Sequence, residues 1–334
     1  MSSITAKAFW TLAPRRGALR DETLSAPGPG EVLIRTRYSA ISRGTEGLVF
    51  NGQVPLNERS RMRAPFQQGD FPGPVKYGYA SVGIVEQGPL HLLDRAVFCL
   101  YPHQDRYVVP QSAVLALPGE LPLERAVLAA NMETTINGLW DAGPRVGDRI
   151  SVIGAGVVGA LIAYLCTQIP GTRVQLIDIA PQRETLARAL GVPFYPPDQA
   201  EGDNDLVIHA SGAPEGLRTG LALAGQEATL IEMSWFGQQE VCLPLGEAFH
   251  SRRLTLRSSQ VGTVAPVRSP RWDHRRRLGL ALDLLQDARL DALISGESTF
   301  EALPELMPRL LDGANGVLCH RVAYPQTDNA AQGN

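Results

Sequence analysis

Asp148-Arg-Ile-Ser-Val-Ile-Gly-Ala-Gly-Val-Val-Gly159 is the stretch that decides the fold. Ile150, Val152 and Ile153 make a short apolar strand that runs straight into glycines at 154, 156 and 159. A helical pattern follows at once (Val157, Val158, Leu161, Ile162, Leu165), and a second strand, Val174-Gln-Leu-Ile-Asp178, ends on a carboxylate. Strand, glycines, helix, strand and acid in that order are the fingerprint of a dinucleotide site. Gly154 allows the tight turn, Gly156 lets the backbone approach a pyrophosphate, and Gly159 lets helix and strand pack closely. Val157 and Val158 fall on the first helical turn, whose free N–H groups and positive dipole end suit phosphates. Asp178 lies 24 residues after Gly154, where an acid accepts from the ribose 2′-hydroxyl and repels a 2′-phosphate. The expected cofactor is therefore NAD, with NADP disfavoured. The competing reading is a glycine-rich turn in the same fold that holds no ligand.

From this stretch onward strands and helices alternate. Strands are expected at 150–153, 173–178, 192–195, 205–209, 229–233 and 254–259, with helices near 157–168, 181–190 and 214–224. Pro181 suits a first helical position and Gly191 a helix stop. The pattern is that of an α/β, doubly wound parallel sheet. Residues 1–130 read instead as short β runs broken by Gly and Pro: Thr5–Trp10, Leu19–Leu24, Glu31–Ala40, Tyr79–Glu86, Ala96–Cys99 and Tyr107–Val109. Residues 50–75 have no regular pattern, and a loop of that length is usually functional or mobile. A helix is expected over Leu123–Trp140. After Gly262 the pattern leaves the sheet, with amphipathic helices over 272–286 and Phe300–Leu311. The polar residues from Gln326 are expected to be disordered.

The 334 residues favour two domains over one. A composition of 44% apolar and 19% charged residues is that of a globular chain, and a net charge of −3 gives no reason to expect nucleic acid or an anionic membrane as partner. The four cysteines (Cys99, Cys166, Cys242, Cys319) are scattered without a CxxC, which argues against a disulfide framework or a cysteine-rich zinc site. The first residues lack the charged-then-apolar pattern of a signal peptide. No apolar run approaches the roughly eighteen residues of a membrane span. The cytoplasm is the default expectation.

Several motifs together resemble the medium-chain dehydrogenase/reductase superfamily: Pro29-Gly-Glu-Val-Leu-Ile-Arg35, Gly78-Tyr-Ala-Ser-Val-Gly-Ile-Val-Glu-Gln-Gly88, Gly147-Asp148-Arg149, the 154–159 fingerprint and Leu290-Asp-Ala-Leu-Ile294. Ile41-Ser-Arg-Gly-Thr-Glu46 with Gly78-Tyr79-Ala80 is most similar to the zinc-free branch containing bacteriochlorophyllide a dehydrogenase, which acts on a ring-bearing, carboxylated substrate. The resemblance implies a β-rich GroES-like catalytic domain over 1–132, an inserted Rossmann NAD-binding domain over 133–262, and a return to the catalytic domain with a tail over 263–334. It also implies that Ser211 and Gly212 lie near the cofactor, that Met233, Ser234, Gln260 and Val261 flank the nicotinamide, and that a homodimer forms through an edge strand at Glu240–Pro244.

The departures from the zinc members are as informative. Arg43 stands where they place a cysteine, Tyr79-Ala80 where they place His-Glu, and Asn131 near their third ligand. Arginine is always protonated and offers no lone pair, and tyrosine and asparagine are poor substitutes for His and Cys on zinc. The lobe with four cysteines for a structural zinc is also missing. No zinc is expected at either place.

Hydride transfer needs something to handle the charge that grows on the substrate oxygen. The candidates are Arg43, which could stabilise an alkoxide, and Tyr79, which could exchange a proton if Lys76 or Arg43 lowered its pKa. Thr45, Glu46 and Glu133 are candidate proton relays. Each also has a structural reading: an Arg43–Glu46 ion pair, Tyr79 as filler of the lost zinc site, Glu133 as a helix-surface residue. Arg183 lies either near the adenosine or on a helix surface. His209 reads better as a packed histidine than as a catalyst. Two basic clusters, Arg59, Arg61 and Arg63, and Arg268, Arg271, His274, Arg275, Arg276 and Arg277, are either solvated faces or a rim that attracts an acidic substrate. The function expected is a zinc-independent oxidoreductase moving a hydride between NAD(H) and an alcohol/ketone pair. The alternatives are an NADPH-dependent enone or quinone reductase and a nucleotide-binding protein without catalysis.

Overall fold

The computed structural model describes residues 3–312 and 316–325; the tail expected to be disordered from Gln326 lies outside them. The chain begins with β1 (Ile4–Ala13), β2 (Arg16–Leu24), β3 (Glu31–Ile41), α1 (Arg43–Phe50), β4 (Gln68–Gly69), β5 (Val75–Lys76), β6 (Ser81–Gln87), β7 (Ala96–Cys99), β8 (Arg106–Pro110), β9 (Val114–Ala116) and α2 (Leu123–Ala126). It continues through α3 (Ala129–Ala142), β10 (Arg149–Ile153), α4 (Val157–Cys166), β11 (Arg173–Ile177), α5 (Arg183–Leu190), β12 (Phe194–Tyr195), β13 (Asn204–His209), α6 (Pro214–Leu223), β14 (Ala224–Glu232), β15 (Thr255–Ser258) and α7 (His274–Leu284). It ends with β16 (Ile294–Thr299), α8 (Leu303–Leu311) and β17 (Cys319–Ala323).

Two compact units result, residues 1–128 with 294–334 and residues 129–293. The first is the expected β-rich unit. Among the described residues its strands form a sheet in the order β2-β1-β5-β4 and another in the order β16-β17-β3-β6-β7-β9, with β8 also on β3. The chain's last segment belongs here because its apolar face completes a core. Phe300, Leu303, Met307, Leu310, Val322 and Tyr324 pack with Phe9, Ile41 and Phe50.

The second unit is the expected doubly wound sheet. Its strands run parallel in the order β12-β11-β10-β13-β14-β15. β10 and β11 are nearly continuous apolar runs because both faces of a parallel sheet are covered. α4 is apolar on almost every side and correspondingly buried. α6 starts on Pro214 and lays Leu217 and Leu221 on Ile153, Val207 and Leu230. Gly191, with φ of +70°, stops α5 as the sequence suggests. The strand order reverses between β10 and β13, so the carboxyl ends of these two strands are where such a sheet receives a ligand.

Four sequence expectations change. The helix over 123–140 is two, α2 and α3, and the units part between them. Residues 43–50, read only as a motif, form α1. No strand forms at Glu240–Pro244; β15 is the open edge of the parallel sheet. Residues 263–293 fold with the second unit rather than with the return segment. The reason for the last is electrostatic: Arg277 on α7 is 1% exposed and donates to Glu133 and Asn137 on α3, so α7 is fastened to the parallel-sheet unit.

Leu230 is fully buried between β13 and α6. Leu230→Ala is expected to cost about 2–5 kcal/mol, read from urea denaturation followed by circular dichroism. A loss below about 1 kcal/mol would contradict this packing.

Candidate functional site

In the second unit the glycine loop follows β10. Gly154 has φ of +103°, and a Cβ there would lie 2.6 Å from the backbone of Ser211 in the loop after β13. A Cβ on Gly159 would lie 1.9 Å from the Gly154 carbonyl oxygen. Both positions exclude a side chain because backbone must touch backbone. Gly156 differs: a Cβ there would meet nothing within 4 Å. Its freedom from a side chain serves no internal contact and leaves open space at the N-terminus of α4. No side chain caps that helix, and first-turn N–H groups such as those of Val157 and Val158 suit an anion.

Asp178 ends β11 beside this loop. One carboxylate oxygen accepts from Ala155 N–H (2.7 Å) and the other from Ala180 N–H (2.8 Å). Each oxygen keeps a lone pair for a ribose hydroxyl. Arg183, at the start of α5, is half-buried; burial lowers its pKa while the nearby Asp178 carboxylate raises it. The carboxylate thus braces the glycine loop, a role its spacing alone does not reveal.

At the ends of β13 and β14 the unit builds a polar network. His209, fully buried, holds Glu232 through Nδ1 (2.7 Å) and Ser211 through Nε2 (2.6 Å). Glu232 accepts from Ser234 N–H, and Ser234 Oγ accepts from Gly212 N–H. Ser211, Gly212 and Ser234 are therefore gathered by one packed histidine. The Met233 thioether fills the space over Gly138 on α3. Gln260 and Val261 lie in the loop after β15; the Gln260 side chain accepts from Gly262 N–H and the Val261 carbonyl accepts from Arg277 (2.5 Å). These residues fit a dinucleotide: a glycine cradle, an uncapped helix start and an acid at the second strand.

The first unit gathers Arg43, Thr45, Glu46 and Tyr79. Glu46 is 2% exposed; it accepts from Ser42 N–H and pairs with His103 Nε2, both at 2.8 Å. His103 Nδ1 lies 2.7 Å from Ser39 Oγ, which in turn lies 3.0 Å from the Tyr324 hydroxyl. With His103 neutral, every partner is satisfied: Tyr324 donates to Ser39, Ser39 to the imidazole, and the imidazole to Glu46. The hydrogen-bond partner of Glu46 within the core is thus His103, while the Arg43 guanidinium donates to the Val317 carbonyl. Ser42 and Thr45 lie near the Tyr79 hydroxyl and pull its pKa down. Burial, then the charge of Glu46, push its pKa up to about 12 against the pull of those two hydroxyls.

Two expectations are corrected here. Tyr79 is not activated by a lowered pKa. Lys76, offered as its activator, is buried against Glu22 (2.8 Å) and Gln104 (2.6 Å), and its own pKa is lowered by burial. Glu133 is no surface residue. It lies in the second unit, 4% exposed, paired with Arg277 at 3.0 Å; burial raises its pKa and Arg277 opposes the shift. His103, Ser39, Ser42 and Tyr324 were not singled out by sequence. The one signal was Gly78, where a Cβ would sit 3.1 Å from the His103 ring.

The donors near Arg43 and Tyr79 do not suit zinc. The guanidinium has no lone pair, the phenol keeps its proton, and both oxygens of Glu46 are engaged. Among the described residues there is no group of three or more His, Cys, Asp or Glu placed to hold a metal ion. No helix among them is long and apolar enough to cross a membrane.

No family model matches the chain. It is similar to D-guloside 3-dehydrogenase of Escherichia coli K12, 25% identical over 332 aligned residues that cover 90% of this chain and 94% of that protein. A dehydrogenase of Sinorhizobium meliloti 1021 solved bound to NADP superposes with a TM-score of 0.76 at 17% identity, covering 97% of this chain and 100% of that one. An alcohol dehydrogenase from Escherichia coli CFT073 complexed with NADH superposes with a TM-score of 0.74 at 14% identity, covering 96% and 99%. The fold is that of the medium-chain dehydrogenase/reductases. It pairs a Rossmann unit with a GroES-like one, as the sequence implied. None of these likenesses points to a zinc-free branch or to bacteriochlorophyllide a dehydrogenase, and the Sinorhizobium meliloti protein is described as a zinc-binding dehydrogenase.

The glycines make separable predictions. Gly156→Ala, at φ of −77° and facing open space, should fold with unchanged melting temperature yet bind NADH weakly in a fluorescence titration. Gly159→Ala should lose stability and binding together. Equal NADH affinity in Gly156→Ala and the unaltered protein would sink the cradle assignment.

Proposed function

We propose that the chain is a zinc-independent, NAD-preferring oxidoreductase of an alcohol/ketone pair. The observation that carries the reading is the open space at Gly156, flanked by an uncapped helix start and by Asp178. Gly154, Gly156, Val157, Val158 and Gly159 would hold the pyrophosphate and Asp178 the adenosine ribose, with Arg183 beside it. Ser211 and Gly212 would lie near the cofactor, and Met233, Ser234, Gln260 and Val261 would flank the nicotinamide. The bound nicotinamide supplies or accepts the hydride.

The chain's own contribution to the chemistry is the handling of the substrate oxygen. Tyr79, protonated across the working pH range, serves as a hydrogen-bond donor to a carbonyl oxygen during reduction, and Thr45 with Ser42 orients its hydroxyl. Arg43 carries a charge that does not titrate. Glu46 is a poor relay, because its carboxylate is spent on His103 and Ser42. Glu133 is likewise spent on Arg277. A secondary alcohol on a ring, as the guloside of the Escherichia coli relative implies, is the first substrate class to assay. A homodimer belongs to the same proposal, with β15 as the open sheet edge.

An NADPH-dependent reading has two observations in its favour, Arg183 beside Asp178 and the NADP bound by the Sinorhizobium meliloti neighbour. Comparing NADH and NADPH turnover with ketones and enones decides between them. NADH is expected to win with ketones, and faster NADPH turnover of enones would reverse the assignment. Tyr79→Phe and Arg43→Ala should each lower kcat/KM by at least about tenfold. Since the phenol titrates at about 12, neither the unaltered protein nor Tyr79→Phe should show a phenol step between about pH 6 and 10. Such a step, absent from Tyr79→Phe, would mean that the phenol is activated after all. Metal analysis of the active protein should find no stoichiometric zinc.

A further inference from the structure

Arg277 is the largest fully buried side chain among the described residues. The sequence puts it at the end of a basic run, but its neighbours Arg271, His274, Arg275 and Arg276 are exposed while it is not. Its guanidinium donates through Nε to Glu133 Oε1 (3.0 Å), through Nη1 to Asn137 Oδ1 (2.5 Å) and Thr263 O (3.5 Å), and through Nη2 to Val261 O (2.5 Å). Two of these acceptors are carbonyls of the irregular loop after β15. The rest of that loop is held in the same way. Asn137 Nδ2 donates to Gln260 O (3.4 Å), Asn137 Oδ1 accepts from Ala265 N–H (3.0 Å), and His274 Nε2 bonds Gly262 O (3.0 Å). Four consecutive carbonyls, at 260, 261, 262 and 263, are thus bonded by side chains of α3 and α7 and not by a strand.

Stability is a weak reason for this arrangement. A buried ion pair replaced by well-packed apolar residues is often neutral or stabilising, whereas removing one partner alone is costly. What a planar guanidinium adds is direction, because its rigid fork fixes several acceptors in one geometry at once. The segment so fixed leaves the carboxyl end of β15, on the edge where a doubly wound sheet binds its ligand.

We propose that Arg277, braced by Glu133 and assisted by Asn137 and His274, is a positioning residue for the nicotinamide end of the cofactor site. It sets the backbone of residues 260–263 against which the nicotinamide is held. The proposal rests on the dinucleotide reading above. It does not concern the adenosine end, which the glycine loop and Asp178 form by themselves.

The test compares two ligands in the full chain. NADH carries the nicotinamide; ADP-ribose carries the adenosine and pyrophosphate without it. In Glu133→Gln/Arg277→Met, which leaves no buried unpaired charge, NADH affinity should fall on the order of tenfold while ADP-ribose affinity stays within about twofold. Arg277→Lys should not rescue, because an ammonium lacks the fork. His274→Ala, an exposed change that leaves the core intact, should weaken NADH alone to a smaller degree and keeps the idea testable if the double variant does not fold. A purely structural Arg277 would lower both affinities together with the melting temperature, and that result would overturn the proposal. So would unchanged NADH affinity. Failure of the unaltered protein to bind ADP-ribose, NADH or NADPH would instead remove the dinucleotide reading itself, and this proposal with it.

Discussion

The parallel-sheet unit depends on one steric constraint, the contact of backbone with backbone around Gly154. The loop after β10 is pressed between the Ser211 backbone on one side and α4 on the other, and the first-turn glycine of that helix rests on the Gly154 carbonyl. Neither approach leaves room for a methyl group. The consequence is that α4 begins with its N–H groups uncapped and the space before them empty at Gly156. A helix start left without a cap forgoes roughly 0.5–2 kcal/mol of stabilisation. An anion that accepts from those N–H groups restores the loss, which is why the fit to a pyrophosphate is argued from geometry as well as from spacing.

The β-rich unit meets a different problem, the burial of polar and charged side chains. Glu46 lies in the first turn of α1 and accepts from the Ser42 N–H. His103 supplies the remaining donor, and its other nitrogen is satisfied by Ser39 and then Tyr324. The chain of bonds closes inside the core, for Tyr324 is itself buried and stacked on Phe300. A relay that ends in apolar packing has nowhere to deliver a proton. Glu46 and His103 therefore fix the start of α1, where Ser42 and Thr45 lie, and burial holds the Tyr79 proton.

How far the sequence could be read follows from the range of the interactions involved. The parallel sheet was legible because its signals are local: apolar runs, Pro214 at a helix start, Gly191 at a stop, and the glycine spacing itself. The return of the chain to the first unit was legible only in outline. Its true boundary at 293/294 depends on a guanidinium 144 positions from its carboxylate partner. The Glu46–His103 pair spans 57 positions and has no local pattern at all. The expected lowering of the Tyr79 pKa assumed that the nearby Lys76 points at it, whereas the side chain reaches across β1 and β2 territory to Glu22. Proximity in sequence told where these groups start, not where they end.

The basic run at 268–277 shows why that limit is physical. By composition every arginine in it is equivalent, and exposure is the cheapest state for each, since a long charged side chain in water neither loses hydration nor needs a partner. Arg268 and Arg276 stay exposed over the faces of Trp140 and Trp272, where the charge remains hydrated. Arg277 alone is fully withdrawn, because its place on α7 turns it toward α3, where Glu133 and Asn137 supply acceptors. With those two in place the cost of removing the charge from water is offset by charge-assisted bonds of fixed direction. One helical position therefore separates a solvated arginine from one that fixes the course of a loop.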